Sequence, residues 1–600
     1  MADFFICGLA KRAPAATLAP MSMTWLADVD AETCWAYHPW TEFGPSQVDA
    51  RALAVLPVFG FAEHGLGLPL DAEEILGSHV LKIAATVAKV EGTLRVLPPL
   101  RFALTPYPSG FFGIDAETLH NLIMEMADGV KRAGFAKLLF LVTSPWNLEM
   151  IDATSRDVRE AFGLETFFVS LARLGLNFHP ASEDRAKTQA AAASVSGNPL
   201  YPVSRDGEAS DANFRPGNFA WPASLPRGGA AVDGAAAVKE AGGRLAQVLS
   251  EIFQWPDQLA TRARAGAGKI GFFPAVSSPP FAASISSTST DASATKSSPS
   301  QPAEGLSSRS STAAWIGSST KKPAFVFADE NENEKNAVAD VSRIYPDGFR
   351  ERYLPALNFD ALEKIPNKNK AWVIIPTGAI EQHGPHLPVG VDAMLGHAWV
   401  TETLRLFPAG APLYVAPAIT FGKSTEHVGF SGTISISGKT LRGLLIAIAA
   451  QLKALGFRQI ALLNSHGGNT PMLIATLREI QSALGLRAGL LGQPYKPDVS
   501  AQEAEMGFHA GEWETSLMLA IASEVVAMDK AVCEFPAKID ELGLLRLDQG
   551  VANISWMTAD ISKSGVMGDA TAATKEKGER WLRAGAEALA QKLFSLDRAV

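Results

Sequence analysis

Short apolar runs alternate with helix-patterned segments along the C-terminal part of the chain. The apolar runs have the length and β-branched character of buried strands and lie at residues 372–376, 413–419, 459–463 and 488–491. Apolar residues recur with helical spacing between them, at residues 393–406, 440–455 and 470–484. Gly456 follows the second of these predicted helices, at the position of a C-terminal cap. This alternation predicts an α/β fold with a mostly parallel sheet covered by helices on both faces.

Two segments of the N-terminal part resemble two segments of the C-terminal part. Residues 52–69 are similar to residues 371–388, and residues 134–164 are similar to residues 456–486, in the same order. The aligned pairs include Pro57 with Pro376, His64 with His383 and Asn147 with Asn469. We interpret this repeat as an internal duplication of one α/β domain.

A Ser/Thr/Pro-rich segment separates the two copies. Nearly half of residues 277–320 are serine or threonine, so the segment has too little apolar surface to offset its ordering entropy. We therefore predict a flexible linker at residues 276–322 between a domain at 1–275 and a domain at 323–600. These two regions are called the N-terminal half and the C-terminal half below.

Composition and charge narrow the classes of partner and compartment. Lys and Arg number 53 against 62 Asp and Glu, a net charge of −9, which argues against nucleic acid and membrane partners. The three cysteines are far apart in the sequence, which is typical of a reducing compartment. The most apolar helical stretch, 441–455, is too short for a bilayer, and the apolar residues 4–9 precede their basic neighbours, unlike a secretory signal. We expect a cytoplasmic protein.

Histidines and carboxylates follow the predicted strands of the C-terminal half. Glu381 and His383 come after the first strand, and residues two apart on an extended segment point the same way. Asp392 opens the next helix, where a carboxylate can bridge two cations, and His466 follows the strand at 459–463. Because the carboxyl ends of parallel strands meet at one edge of a sheet, we expect these side chains to lie close together.

A third segment adds one imidazole and two carboxylates, from His509, Glu512 and Glu514. Mixed imidazole and carboxylate ligands without thiolate suit Zn²⁺, Mn²⁺ or Fe²⁺. The spacing indicates a metal site and leaves room for two ions. Two ions would generate a hydroxide near neutral pH and polarise a carbonyl oxygen, so the predicted reaction is hydrolysis of a C–N bond.

Several ordered motifs resemble those of the creatininase (creatinine amidohydrolase) family. They lie at residues 378–388 with Asp392, 424–433, 464–469, 509–516 and 565–578, within a region of resemblance of about 340–595. The resemblance implies a three-layer αβα domain with two divalent metal ions per chain. We expect Zn²⁺, with Mn²⁺ or Fe²⁺ as alternatives.

The resemblance also implies individual roles for the metal ligands. The implied ligands are Glu381, His383, Asp392 as the bridge, His466 and Glu514. Glu514 replaces a glutamate that creatininase carries where this chain has Gly468. Glu512 stays an alternative to Glu514, since at the start of a helix it would share a face with His509.

Three further residues are candidate catalytic groups. His509 matches a histidine that serves near the substrate as an acid/base group, so the resemblance implies that role here. Glu426 and His427 lie in the second motif and either face the substrate or support the metal ligands.

Three other positions are predicted to bind the substrate. Ser424 matches a substrate-contacting position of the family. Gly467 stands where creatininase has the tyrosine that holds creatinine, and Glu505 begins the pair that replaces its Trp-Asp pair. We therefore expect a substrate other than creatinine.

The N-terminal half has different residues at the same positions. Ala62 replaces Glu381, Glu73 falls on Asp392, and Ser144 replaces His466, so we predict an inactive copy. Because the family resemblance implies ring-shaped homohexamers of paired subunits, we expect a homo-oligomer, for example a trimer of two-domain chains.

These observations predict a metal-dependent amidohydrolase that cleaves a C–N bond of a small amide, lactam or formamide by a metal-bound hydroxide. The first alternative is a creatininase-like peptidase that acts on a modified peptide. The second alternative is a non-catalytic metal-containing binding or scaffold protein.

Overall fold

The computed structural model describes most of both halves. It describes residues 26–255 except 66, 89–91, 106–109, 180–181 and 197–232, and residues 349–598 except 409, 493–494, 537–544, 547–551 and 554. The predicted linker at 276–322 and the N-terminal residues 1–25 lie outside the described residues. The described parts of both halves belong to one compact unit, Met1–Leu259 with Val338–Val600.

The N-terminal half contains a parallel sheet with the strand order β3-β1-β5-β6. Its strands are β1 (Leu53–Val58), β2 (Phe61–Ala62), β3 (Leu94–Val96), β4 (Gly110–Phe111), β5 (Lys137–Val142) and β6 (Glu165–Ser170). Its helices are α1 (Ala72–Val87), α2 (Ala116–Arg132), α3 (Leu148–Phe162), α4 (Arg185–Val195) and α5 (Gly234–Gln254). The short strands β2 and β4 pair with each other in antiparallel fashion.

The C-terminal half contains a second parallel sheet, with the order β8-β7-β9-β10. The strands of this half are β7 (Trp372–Thr377), β8 (Leu413–Val415), β9 (Gln459–Asn464), β10 (Arg487–Leu491), β11 (Cys533–Glu534), β12 (Leu545–Arg546), β13 (Ala552–Asn553) and β14 (Gly568–Asp569). The last four form two separate pairs, β11 with β14 and β12 with β13. The helices of this half are α6 (Phe359–Glu363), α7 (Val391–Arg405), α8 (Gly438–Ala454), α9 (Thr470–Glu479), α10 (Ala501–Met506), α11 (Glu512–Ile521), α12 (Thr558–Ile561) and α13 (Lys575–Arg598). The predicted parallel α/β fold is confirmed.

The two sheets have the same strand order, and the aligned asparagines make similar hydrogen bonds in each half. Asn147 follows β5, and its side-chain oxygen accepts from Leu104 N at 2.8 Å. Asn469 follows β9, donates to Gly378 O at 3.0 Å and accepts from Lys423 N at 2.8 Å. Each asparagine therefore ties the loop after a central strand to neighbouring loops at the carboxyl edge of its sheet.

Two predicted elements have boundaries that differ from the structure by more than two residues. The predicted strand at 413–419 is regular only to Val415, because Pro417 has no N–H to donate to the sheet. A single bridge between Thr377 and Ile419 then restores the pairing. The predicted helix at 470–484 is α-helical to Glu479 and finishes in a π turn.

An N-terminal segment at 35–43 packs on loops of the C-terminal half. Four hydrogen bonds join them: Val389 N to His38 O at 2.9 Å, Gly390 N to Ala36 O at 2.9 Å, Trp35 Nε1 to Gly432 O at 3.1 Å and Trp40 Nε1 to Ser564 O at 3.0 Å. Buried apolar residues of both halves also form one continuous core cluster. The N-terminal half therefore supports the loops that precede Asp392 and follow His427.

None of the helices in the described ranges offers an apolar stretch long enough to cross a bilayer.

Candidate active site

The predicted ligands lie at the carboxyl edge of the second sheet. β7 ends at Thr377, and the loop after it carries Glu381 and His383. Gly384 turns this loop back with a φ of +74°, a conformation that glycine adopts without strain. Asp392 lies in the first turn of α7, and His466 follows β9. Edge position in a parallel sheet is thus what brings these distant residues together.

Five side chains form one buried cluster. His466 Nδ1 lies 3.2 Å from Glu381 Oε1 and 3.4 Å from Asp392 Oδ2. His383 Nε2 lies 3.6 Å from Asp392 Oδ1 and 3.9 Å from Glu514 Oε2. Glu514 is the most exposed of the five side chains, at 17%, and each of the other four is at most 3% exposed.

Glu514, and not Glu512, faces this cluster. α11 begins at Glu512, and two residues along a helix point to different sides. Glu512 Oε1 accepts from Lys577 Nζ at 2.6 Å, which engages that carboxylate on the far side. Glu514 Oε2 accepts from Ala510 N at 2.5 Å, at the edge of the cluster.

Two stacked imidazoles cover one side of Glu381. His427 Nε2 lies 3.6 Å from Glu381 Oε1, and His509 Nδ1 lies 3.8 Å from the same oxygen. The two rings are 4.2 Å apart with an interplanar angle of 28°. Both candidate catalytic histidines therefore point at one carboxylate oxygen of the ligand cluster.

The predicted substrate positions differ in their surroundings. The Ser424 hydroxyl is buried and has no hydrogen-bond partner in the described ranges. Gly467 is open, since a side chain there would meet nothing within 4 Å. Glu426 Oε1 lies 3.6 Å from His466 Nε2, so this candidate catalytic carboxylate borders the cluster. Glu505 is exposed on α10.

Sequence reasoning missed two residues that organise the site. Gln382 lies between Glu381 and His383, and its side chain reaches the two stacked imidazoles instead of the ligand cluster. Glu503 is buried, and its carboxylate accepts from the backbone N of Glu512 at 2.8 Å, at the start of α11. The alternation of side chains on an extended segment predicts that Gln382 points away from its neighbours; no comparable signal marks Glu503.

The close packing of carboxylates and imidazoles shifts their pKa values. Burial alone would raise the pKa of Glu381, but the facing imidazoles of His427 and His466 hold it at about 2. Burial alone would lower the pKa of His383, but the carboxylates around it, Asp392 foremost, raise it to about 9. Burial raises the pKa of Glu514 to about 7.

The cluster fits a divalent cation. Glu381 Oε2 and His383 Nε2 are buried, and neither has a hydrogen-bond partner among the residues that the structure covers. Unpaired buried polar atoms are costly, and a cation between them would remove that cost. Glu381, His383 and Asp392 also place one ligand atom each within 4.8 Å of the others.

The equivalent place in the N-terminal half is closed by hydrogen bonds. His64 Nε2 donates to Glu73 Oε1 at 3.0 Å, and the other oxygen of Glu73 accepts from Gly60 N at 3.0 Å. The ring of Phe178 stacks on His64 at 4.0 Å. Within the described part of this half, no group of three or more ligand side chains that can hold a metal ion is found.

Comparison with known proteins identifies the family. The family model for creatininase, described as creatinine amidohydrolase, matches residues 36–197 and 356–593. The chain belongs to the creatininase family. Both halves take part in the match, and enzymes of this family are metal-dependent hydrolases.

Three relatives illustrate the range of creatininase-family reactions. The chain is 36% identical over 210 residues to a mycofactocin precursor peptide peptidase of Mycolicibacterium smegmatis, covering 35% of this chain and 78% of the relative. It is 29% identical over 241 residues to a creatinine amidohydrolase of Pseudomonas putida, covering 37% and 88%. It is 26% identical over 216 residues to a 2-amino-5-formylamino-6-ribosylaminopyrimidin-4(3H)-one 5'-monophosphate deformylase of Methanobrevibacter ruminantium, covering 34% and 83%.

Proposed function

We propose that this protein is a metal-dependent amidohydrolase that cleaves the C–N bond of a small amide, lactam or formamide. The observation that carries the proposal is the buried cluster of three carboxylates and two imidazoles beside the stacked pair of His427 and His509. The names of the creatinine amidohydrolase and the deformylase among its relatives support this reaction type.

The proposed metal ligands are those that the cluster brings together. They are Glu381, His383, Asp392, His466 and Glu514, and we propose two ions, with Zn²⁺ first and Mn²⁺ or Fe²⁺ as alternatives. Bound divalent ions supply Lewis acidity, which polarises a carbonyl oxygen and lowers the pKa of water.

The remaining side chains would position the substrate and move protons. Amide hydrolysis needs a group that takes a proton from the attacking water and returns one to the departing nitrogen. Burial lowers the pKa of His427 to about 4 and also lowers the pKa of His509, so both rings are neutral at pH 7.5. We assign the proton transfer to His509. We also propose that the Ser424 hydroxyl hydrogen-bonds the substrate, which is supported by its burial without a partner in the described ranges.

A second candidate substrate is a short modified peptide. The relative at 36% identity is named for cleavage of a precursor peptide, and the open position at Gly467 leaves space beside His466 for a longer chain. The bond broken would again be an amide C–N bond, so the two candidates differ only in what the substrate carries.

We further propose that the N-terminal half is an inactive copy which arose by duplication. The hydrogen bond between His64 and Glu73 supports this reading, since it uses the atoms that a metal would need. The predicted homo-oligomer and the cytoplasmic location stay predictions.

The test combines a metal count with a substrate panel on the full chain. We expect about two divalent ions per chain by elemental analysis, and hydrolysis of at least one member of a panel of lactams, formamides and short peptides. Replacing His466 with Ala should abolish turnover and lower the metal count. The matched control is His120→Ala, which removes a surface histidine that pairs with Asp157 in the N-terminal half.

Each outcome of this test separates the hypotheses. Turnover of peptides alone would favour the peptidase, and turnover of small amides alone would favour the amidohydrolase. Bound metal without turnover of any panel member would overturn both in favour of a binding or scaffold protein.

A further inference from the structure

The side-chain amide of Gln382 has only one allowed orientation. Gly384 N donates to Gln382 Oε1 at 2.9 Å, and a backbone N–H cannot accept. Gln382 Nε2 donates to Gly565 O at 3.0 Å, and a backbone carbonyl cannot donate. A flipped amide would break both hydrogen bonds, so the oxygen and nitrogen positions are assigned by these two partners.

This orientation decides which nitrogen of His427 carries the ring hydrogen. The second N–H of Gln382 Nε2 faces His427 Nδ1 at 2.9 Å, so Nδ1 must offer a lone pair. The hydroxyl of Thr558 lies 2.8 Å from the same nitrogen and can also donate to it. A neutral His427 therefore carries its hydrogen on Nε2.

The backbone of the same residue decides which nitrogen of His509 carries the ring hydrogen. His509 Nε2 lies 2.8 Å from the carbonyl oxygen of Gln382, which can only accept, so Nε2 carries the hydrogen. A neutral His509 then has its lone pair on Nδ1. The 3.1 Å approach of Gln382 Nε2 to His509 Nε2 is a contact between two donors and is not a hydrogen bond.

The reverse assignment fails at both rings. A hydrogen on His427 Nδ1 would point at an N–H of Gln382, and a lone pair on His509 Nε2 would face a carbonyl oxygen at 2.8 Å. Both arrangements leave buried polar groups unsatisfied, which is costly.

We propose that Gln382 is a positioning residue which holds both stacked histidines in the Nε2–H tautomer, so that His427 faces Glu381 as a hydrogen-bond donor and His509 faces it as a proton acceptor. His427 presents N–H and His509 presents a lone pair to the side of the cluster marked by Glu381 Oε1, at 3.6 and 3.8 Å. The catalytic part of this inference rests on the proposed function, whereas the tautomers themselves do not.

The two rings have different roles in amide hydrolysis, because they turn different nitrogens toward Glu381. The oxygen of the attacking water forms a bond to the carbonyl carbon while one of its protons moves to His509 Nδ1. The C–N bond then breaks, and the same proton moves from His509 to the departing nitrogen. His427 keeps its hydrogen throughout and stabilises developing negative charge by a hydrogen bond.

The test reads the ring nitrogens directly. We would label the histidines of the full chain with ¹⁵N, remove metal with a chelator and record long-range ¹H–¹⁵N correlations at pH 7.5. Nitrogens with and without hydrogen are well separated in such spectra, and His427→Gln and His509→Gln assign the two rings. We expect hydrogen on Nε2 in both rings; hydrogen on Nδ1 of either neutral ring would overturn the proposal.

The variant Gln382→Glu tests whether the side-chain amide of Gln382 sets the tautomer of His427. A carboxylate accepts where the amide donated, so His427 Nδ1 should gain a hydrogen. His509 should keep its hydrogen on Nε2, because the backbone carbonyl that holds it is unchanged, and it serves as the internal control. The proposal would be contradicted if the variant changed the tautomer of both rings, or of neither ring. If the variant does not fold, the spectra of the unsubstituted protein still decide the tautomers.

Activity separates this inference from the proposed function. With a substrate from the panel, Gln382→Glu should lower kcat by about 100-fold or more while KM changes less than about threefold. If the panel gives no substrate but the tautomers are as expected, the proposed function fails and the tautomer assignment stands. If turnover is found with other tautomers, only the inference fails.

Discussion

His64 Nε2 lies 3.0 Å from Glu73 Oε1 in a direct hydrogen bond, whereas the aligned pair in the C-terminal half, His383 and Asp392, is 3.6 Å apart. In the first pair each group satisfies the other. In the second pair His383 Nε2 has no hydrogen-bond partner in the described part of the chain. One extra methylene in the glutamate therefore lets the N-terminal copy close a gap that the C-terminal copy keeps.

Mutation of the two glutamates in the first turn of α11 should have different effects on metal binding. Glu514→Gln replaces a carboxylate of the cluster with an amide, and we expect at least about 100-fold weaker metal binding in competition titrations. Glu512→Gln is the matched control, because its carboxylate pairs with Lys577; it should keep the metal and lower the melting temperature. Metal loss from the control alone would reverse the ligand assignment.

Adjacent glycines after β9 give a second matched pair. A side chain at Gly468 would lie 1.9 Å from Glu426 Oε1 and 2.5 Å from His466 Nε2, so Gly468→Ala must displace Glu426, His466 or both. We expect it to lower metal content and turnover by about tenfold or more. Gly467→Ala meets nothing within 4 Å and should keep the metal, and a change in its KM alone would report contact with the substrate. Equal metal content in both variants would contradict this geometry.

Acid should destabilise the protein through His397, a buried residue of α7 outside the ligand cluster. Burial, and then the charge of Arg101, lower its pKa from 6.5 to about 3. Because the unfolded chain binds this proton below pH 6.5 and the folded chain does not, the stabilising contribution is complete above pH 6.5 and is lost as pH falls toward 3.

Between pH 7.5 and pH 5 the expected loss from this group is roughly 2 kcal/mol in the free energy of unfolding. Urea unfolding at both pH values would measure it. His397→Gln should lose less stability over the same interval, since the amide does not titrate. If the free energy of unfolding of the variant has the same pH dependence, other groups cause the loss of stability in acid.

Trp40 links the N-terminal half to Ser564. The next residue, Gly565, has the carbonyl oxygen that orients the side-chain amide of Gln382. The Trp40 indole donates to Ser564 O at 3.0 Å and packs edge-on against Phe430 at 5.0 Å. Trp40→Phe keeps an aromatic ring and removes the hydrogen bond to Ser564, so we expect about 1 kcal/mol less local stability and about fivefold faster hydrogen exchange in the loop at residues 562–566. Trp255→Phe, at an indole that is 46% exposed, is the control and should leave exchange there unchanged.

The amino-acid sequence by itself determined the α/β architecture and the identity of most residues in the cluster. Apolar runs of strand length that alternate with helical segments predict a parallel sheet, and the carboxyl ends of its strands share one edge, so Glu381, His383 and His466 were expected to lie close together. The choice between Glu512 and Glu514 needed the structure, because it depends on where α11 begins and how far the helix has rotated at each residue.

The tertiary structure also decided the roles of residues whose partners are distant in the sequence. Gln382 acts through Gly565 and His427, and Trp40 acts across the two halves, and no local pattern encodes such contacts. Hydrophobic periodicity fixes which residues are buried in an element. The direction of a hydrogen bond between two buried side chains depends on the final packing of several elements at once, so only the folded chain specifies it.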